Sequence, residues 1–564
     1  MTIPAFIDAS TAEMPSTTST NTSKMSSIDA SAAEMPSTST TSLADLPRDL
    51  LYEILHATLG DDLTEWSTQV ESTDRASLRL TCRAMACLID GSVTAYVDAV
   101  CQFNKWGSDE CKADAAVRKF ARAAPLRSLE LEGLSEEGLQ RLLLTFAEAT
   151  AERKASELVA NGGLARLKLS MGAFTAAPIF GYTLTDVDLG GCALLNDEAI
   201  GALCDASPRL AKFKLTANQC VHAPVIRGDF MREVNLSLCA ELCDSAVAAL
   251  CLACPQLVEL QLWRCPQLAN PSITGQELRI VNLSDCPELC DDAISRMSEC
   301  PSLRVLTAAN CPLLTEPRIR CPQLELLDMA GCERLADKAV SGLCAASPKL
   351  RRLYLPRCTA LMRPVIAGGE LEAINLSGCA DLSDSAVDAM CRGSPALLRL
   401  CLAICTSLVH PEIAGLRIAD LVLSGCSSLG DAAVARMCKN CPRLRKLNLS
   451  HCSVLSEPQI TSVSLRRLLL AHCAQLRHPV IRAPALTDAS LTSCPLLVDE
   501  SLAGVCRGCP SLHKLSLAWC TSLRAPRITH RQLTSLSLQG CQVADDAFTS
   551  CLHRECPALR KMKI

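Results

Sequence analysis

The chain has 564 residues, a formal charge of −5 at neutral pH and a sequence pI near 6.1, a balance that excludes a general binder of phosphate backbones. That length exceeds what one compact core holds, so several domains or one extended repeat array are expected. Hydrophobic residues make up 49% of the chain but aromatics only 3%, so the interior must be built from Leu, Ala, Val, Ile and Cys.

In chain order, residues 1–42 come first, rich in Ser, Thr and Ala. They hold a short duplication, Ile7-Asp8-Ala9-Ser10 through Met14-Pro15-Ser16, then Ile28-Asp29-Ala30-Ser31 through Met35-Pro36-Ser37. So little apolar surface cannot offset chain entropy, and a disordered tail is expected. Residues 1–45 contain one basic residue, Lys24, and no apolar run, which predicts neither a secretory signal nor a transit peptide. No run of about 18 apolar residues occurs anywhere, so no membrane span is expected.

Residues 43–97 predict a small helical module. LADLPRDLLYEILHATL sets Leu50, Leu51, Ile54 and Leu55 on one face at helical spacing, with Pro47 in the first turn. An acidic, polar insert (Gly60 to Asp74) follows, then RASLRLTCRAMACLIDGSV. Residues 98–125 are expected to form a helical linker or cap.

From residue 126 to 564 the sequence repeats. The unit is L-x-x-L-x-L-x-x-C, with apolar residues eight, five and three positions before a cysteine, as in Leu257, Leu260, Leu262 and Cys265. Cysteine slots run from Cys239 through Cys265, Cys286, Cys311 and onward to Cys541. Upstream, Cys192 and Asn218 continue the series. Spacings alternate between 26 (once 25) and 21, except for two successive 21s from Cys452 to Cys473 to Cys494. Two less regular units, at Leu126-Leu129-Leu131 and Leu164-Leu167-Leu169, bring the total to 18 slots before a closing strand at Leu559-Met562-Ile564.

Long units continue C-x-x-L-x-D-x-A-V and then place Val247, Leu250, Cys251 and Cys254 at helical spacing, with Asp244 expected to cap the start. Short units carry proline instead, as at Pro317, and lack about one and a half helical turns. The convex face should therefore alternate helices with extended or 3₁₀ segments, over one continuous parallel sheet on the concave face. Each unit buries its apolar edge only by stacking on its neighbours.

These features resemble the cysteine-containing class of leucine-rich repeats, an α/β solenoid. The preceding segment resembles an F-box, from its Leu-Pro start, apolar first helix and S-L-R-L-T-C-R-A-M element. It departs from that pattern in a longer insert and in Met85, where Trp is common. The resemblance implies an F-box protein that docks on a Skp-type adaptor in a cullin ubiquitin ligase and holds the protein to be ubiquitinated on its repeats. Leu46, Pro47, Leu50, Leu51, Ile54, Leu55, Leu80, Cys82 and Met85 would supply the adaptor contact. A plain repeat scaffold or inhibitor, with residues 43–125 only capping the solenoid, is the rival reading. A hormone-receptor arrangement would require long inserted loops, for which the regular spacing leaves no room.

With 36 cysteines in step with leucines, reduced core thiols in a cytoplasmic or nuclear protein are expected rather than disulfides. C-x-x-C at Cys251/Cys254, Cys438/Cys441 and Cys506/Cys509 recurs at one phase of the long unit, where Cys344/Ser347 and Cys391/Ser394 carry Ser second. That interchange reads as packing, so no metal, cofactor or catalytic group is expected. Residues four, two and one before each slot should point outward from the concave side. Bulky groups there fall in short units: Trp263, Arg264, Tyr354, Arg357, His451, His472 and Trp519. Aromatic and Arg anchors dominate interfaces, so these are the expected contacts for a protein target. No nucleic acid or membrane partner is expected.

Overall fold

The computed structural model describes residues 78–80, 101–103, 128–132, 135–140, 143–144, 164–177, 183–542 and 546–563. The leucines of each unit alternate with solvent-side residues, giving three-residue strands with only the middle side chain fully buried, as in Glu259–Gln261. One parallel sheet begins at Ser128–Glu132 and Arg166–Ser170 and ends at Ser535–Ser537 and Lys561–Lys563. Each strand pairs in register with the next, so Lys446 lies beside Arg467 and Arg467 beside Asp488. Among the described residues, no pairing joins the first strand to the last. The sheet is open, and the fold is a leucine-rich-repeat solenoid.

Behind the sheet, every long unit from Cys192 onward contributes a helix that opens on an aspartate, among them Asp244–Ala253, Asp337–Ala346 and Asp384–Gly393. Ala246, Val247, Leu250 and Cys251 form the buried stripe of the first of these. The 25-residue unit has a six-residue helix, Asp291–Arg296, tightened into a 3₁₀ turn at Met297–Glu299, which accommodates its one missing residue. Short units carry extended chain in place of a helix. Where two short units adjoin, their extended segments Gln459–Thr461 and Val480–Arg482 pair as a second, two-stranded parallel sheet.

The expected cap is displaced by one residue. Cys243, not Asp244, is the N-cap, and it makes no side-chain capping bond. Asp244 is the first helical residue, and its carboxylate accepts from the amides of Ala269 and Asn270 in the following short unit, at 3.1 and 2.8 Å. The same clamp recurs at Asp197, Asp291, Asp337, Asp384, Asp431 and Asp499, each reaching two consecutive amides of the next unit. Proline prevents a helix in the short unit, so these amides have no helical partner. The carboxylate supplies one, beside a helix N-terminus that favours its charge.

The slot cysteines form a second ladder. Every slot thiol from Cys192 to Cys541 donates to a backbone carbonyl of the preceding unit, for example Cys265 to Leu236 at 3.2 Å and Cys379 to Leu355 at 3.3 Å. Asn218 uses both ends of its amide. Its nitrogen donates to the carbonyls of Cys192 and Leu195, and its oxygen accepts from the amides of Cys220 and Val221. Thiol and amide thus perform one task, satisfying backbone that turns away from the strand.

Of the N-terminal segments, two short pieces are described. Leu78–Leu80 and Cys101–Phe103 form an antiparallel strand pair, whereas the helical module and helical linker expected there would make both pieces helical. The expected tail at 1–42 and the apolar helix at 43–59 lie outside the described residues.

Candidate binding surface

The concave surface is built from three positions per unit. In six units the residue four before the slot is Asp or Asn and turns its side chain back onto its own chain. Asn235, Asn282, Asn375 and Asn448 each accept from the amide two residues on, at 3.0 Å. Asp188 and Asp328 do the same for Gly190 and Ala330. These small polar groups, expected to point outward from the concave side, are used in shaping the strand exit. Burial raises the Asp328 carboxyl above the ordinary carboxylate range, and the Ala330 amide offsets this only in part.

The residue immediately before each slot adopts the left-handed conformation. Arg264, Arg357, His451, His472 and Trp519 all do so, with φ between 58° and 62°. So do Gly331, Gly378, Gly425 and Gly540, which fall in long units. The two groups interlock. A Cβ added at Gly378 would lie 3.2 Å from Arg357 Cγ, one at Gly425 3.1 Å from Ile404 Cγ1, and one at Gly540 2.5 Å from the Trp519 ring. Where the next long unit carries glycine, the short unit's side chain lies over it; in the other long units Leu238, Asp285 and Ser493 take the same conformation. A non-glycine residue in this conformation costs about 1 kcal/mol, and every described short unit and three of the long units accept that strain.

Cross-sheet packing covers one side of each large group and leaves the other open. Trp519 remains 55% exposed and Ile404 58%. Arg264 lies 5.3 Å from the centroid of the half-buried Trp263 ring and faces Asp285 at 3.4 Å. Tyr354 is half-buried at a strand end, and burial pushes its phenol pKa up. The His451 and His472 rings stack in parallel, with centroids 4.5 Å apart. Burial, then the neighbouring His472, lowers the pKa of His451.

The seven expected contact residues thus share one surface but not one pocket. Eleven strand steps separate Trp263 from Trp519, a span of roughly 50 Å at about 4.8 Å per step. Sequence reasoning missed a further feature at the opposite, N-terminal end of the strands. Most short-unit strands begin with a basic residue and most long-unit strands with an acid, the units of Cys265, Cys286 and Cys541 excepted, and several of these pair across the sheet. Examples are Lys212–Glu233 at 2.7 Å, Arg351–Glu372 at 3.0 Å and Arg399–Asp420 at 3.8 Å. The signal lay in the residues six and seven before each slot, read against unit length.

Of the expected adaptor residues, only Leu80 is described, in the Leu78–Leu80 strand. Leu46, Pro47, Leu50, Leu51, Ile54, Leu55, Cys82 and Met85 lie outside the described residues. The second cysteines of the C-x-x-C pairs are buried and hydrogen-bonded to backbone, Cys254 to Ile226, Cys441 to Ile413 and Cys509 to Ile481. Among the described residues, no three His, Cys, Asp or Glu side chains group so as to hold a metal ion. None of the described helices is long and apolar enough to cross a membrane.

No family model and no curated protein matches this sequence. Among solved structures, the chain is similar to one in the crystal structure of the Rad7 and Elc1 complex in yeast. The two share 15% identity at a TM-score of 0.27, over 75% of this chain and 77% of that one.

Proposed function

We propose that the chain is the substrate-recognition subunit of a Skp-cullin-F-box ubiquitin ligase, holding a target protein on the concave face of its repeats. The observation that carries the binding half is the row of strained, half-open side chains before the slots, Arg264, Arg357, Ile404, His451, His472 and Trp519. Glycine would hold these positions without strain, as it does in five of the eight long units from Cys192 onward. Their exposed Arg and aromatic faces are the groups that dominate interface energetics. The ligase half rests on the F-box resemblance of residues 43–97. Transfer of ubiquitin would then belong to the partner enzyme, in the cytoplasm or nucleus.

The second reading is a repeat scaffold with no ligase role. In it, residues 43–125 would only cap the open end of the solenoid. Co-purification with a Skp-type adaptor separates the two. Wild type should bind and Leu50→Asp/Ile54→Asp should not, while the double variant still elutes as a folded solenoid. If wild type fails to bind where a control F-box protein does, the scaffold reading holds.

A further inference from the structure

The one interruption of the 26/21 alternation has an electrostatic consequence. Elsewhere, a short-unit strand with basic residues at its start is followed by a long-unit strand; Glu372 follows Arg351 and Asp420 follows Arg399 in this way. At Cys452 and Cys473 two short units adjoin, and the acid-bearing strand that would separate them is missing. Lys446 pairs directly with Arg467 in the sheet register, and Arg445 lies beside Arg466, whose amide donates to the Arg445 carbonyl. Four exposed cations thus occupy the width of two strands.

Their neutralisation is slight. Lys446 reaches Asp420 only at 3.9 Å and Arg467 reaches Asp488 only at 4.0 Å. Among the described residues, Arg445 and Arg466 meet no carboxylate within ion-pair distance. Like charges set directly opposite in a sheet destabilise it, by about 0.2–1 kcal/mol per pair, so the cluster is not explained by folding. The same two strands end at the stacked His451 and His472, and Ile404 and Trp519 stand two strands away on either side of that stack. The seam therefore has a cationic end and an end with donors and exposed apolar surface, some 15–20 Å apart along the chain.

We propose that this seam is the docking site for an acidic peptide segment of the partner protein, its carboxylates on Arg445, Lys446, Arg466 and Arg467 and an apolar side chain toward His451, His472 and Trp519. The proposal deepens the reading of the concave face as the target-binding surface and is independent of the ligase assignment. Charge complementarity selects the occupant. Asp420 and Asp488 bound the cluster on both sides, so it is too narrow for a nucleic-acid backbone, which would run onto carboxylates within one strand spacing. A short extended acidic segment fits within those bounds and spans the strand length in about six residues.

The test uses the full chain and a fluorescein-labelled synthetic peptide of glutamates around a single phenylalanine, read by anisotropy. Binding should weaken steeply with added KCl, as steered contacts do. Arg445→Glu/Arg466→Glu should lose about tenfold or more in affinity. Arg318→Glu/Arg320→Glu makes the same net-charge change on exposed residues of the convex side and should bind as wild type does. Because reversal relieves repulsion at the seam, the first variant should melt no lower than wild type, which separates lost binding from lost fold. Equal losses in both variants, equal binding of a glutamine-for-glutamate peptide, or preference for a single-stranded oligonucleotide over the peptide would each overturn the proposal. Adaptor co-purification is unaffected by either variant, so failure here and failure of the ligase reading remain distinct.

Discussion

Removing one aspartate clamp tests whether the units are held together as the structure indicates. Asp291 is the first residue of its helix, and its carboxylate accepts from the Thr315 amide at 2.8 Å, the Glu316 amide at 2.9 Å and the Thr315 hydroxyl at 2.7 Å. A hydrogen bond to a charged group nets about 1.5–3 kcal/mol when well made, and a carboxylate at a helix N-terminus adds about 0.5 kcal/mol. Asp291 is only half-buried, and the two amides freed by Asp291→Ala can turn to water. The low end of each range then applies, and about 2–4 kcal/mol is expected. Repeat arrays need not melt in one step, so the sharper assay is native-state hydrogen exchange at Thr315 and Glu316. Protection there should fall by roughly thirty-fold or more, at about 1.4 kcal/mol per tenfold, while distant units keep theirs. Asp292→Ala removes the neighbouring, exposed carboxylate, which makes none of these bonds, and should forfeit only the helix-dipole contribution. If the two variants behave alike, the clamp is incidental and proline packing alone joins the units.

Three further expectations follow from other positions. Asn218→Ala strands two carbonyls and two amides and should cost roughly 3–4 kcal/mol, whereas Asn218→Cys, restoring the usual slot donor, should lose clearly less in urea unfolding; equal losses would refute the equivalence of the two residues. Alkylation of the native protein near pH 7.5, mapped by mass spectrometry, should mark Cys220 and Cys551, the exposed thiols among the described residues. It should spare slot thiols such as Cys286 and Cys379, whose pKa values burial pushes up to about 11 and about 12. Rapid labelling of the slots would mean that the solenoid opens freely. Finally, the folded Asp328 carboxyl holds its proton more readily than the unfolded one, so stability is lost as pH rises through the unfolded value near 4 and beyond. Asp328→Asn can still accept from Ala330, as Asn282 does from Ser284. It should therefore raise the melting temperature at pH 7, with a gain that shrinks toward pH 4; a gain that does not vary with pH would rule out the electrostatic cause.

The repeat architecture was legible because it depends on side-chain spacing. Leucines at fixed offsets, prolines in short units and one missing residue in the Cys286 unit correspond to strands, extended segments and the shortened Asp291–Arg296 helix. The aspartate's true partner was not legible, since the Ala269 and Asn270 amides lie 25 and 26 residues beyond Asp244. Capping is a local motif, and a local reading assigned it locally. The candidate surface was half visible. Outward phase picked Arg264, Arg357 and Trp519, but their left-handed backbone appears in sequence only as the glycines that take their place in five of the long units. Asn235 and Asn282 share the same outward phase and serve the strand exit instead. The basic seam needed charge and unit length considered together, because neither Arg445 nor Arg466 is unusual alone.

The aspartate clamps all reach forward, from a helix into the segment after it, and this gives the solenoid a polarity. Cut after a long unit, the chain would leave a carboxylate at a helix start facing water, which is tolerable. Cut before a short unit, it would leave that unit's amides without their acceptor. At the seam a short unit follows a short unit, and the Ser456 carbonyl takes the Arg477 and His478 amides in place of a carboxylate. Shortening from the C-terminal end should therefore be permitted at nearly any unit, and shortening from the N-terminal end only in whole pairs. A protein built this way gains or loses length most readily in steps of two units, and the junction of Cys452 and Cys473 is where a short unit follows another short unit and so receives no clamp.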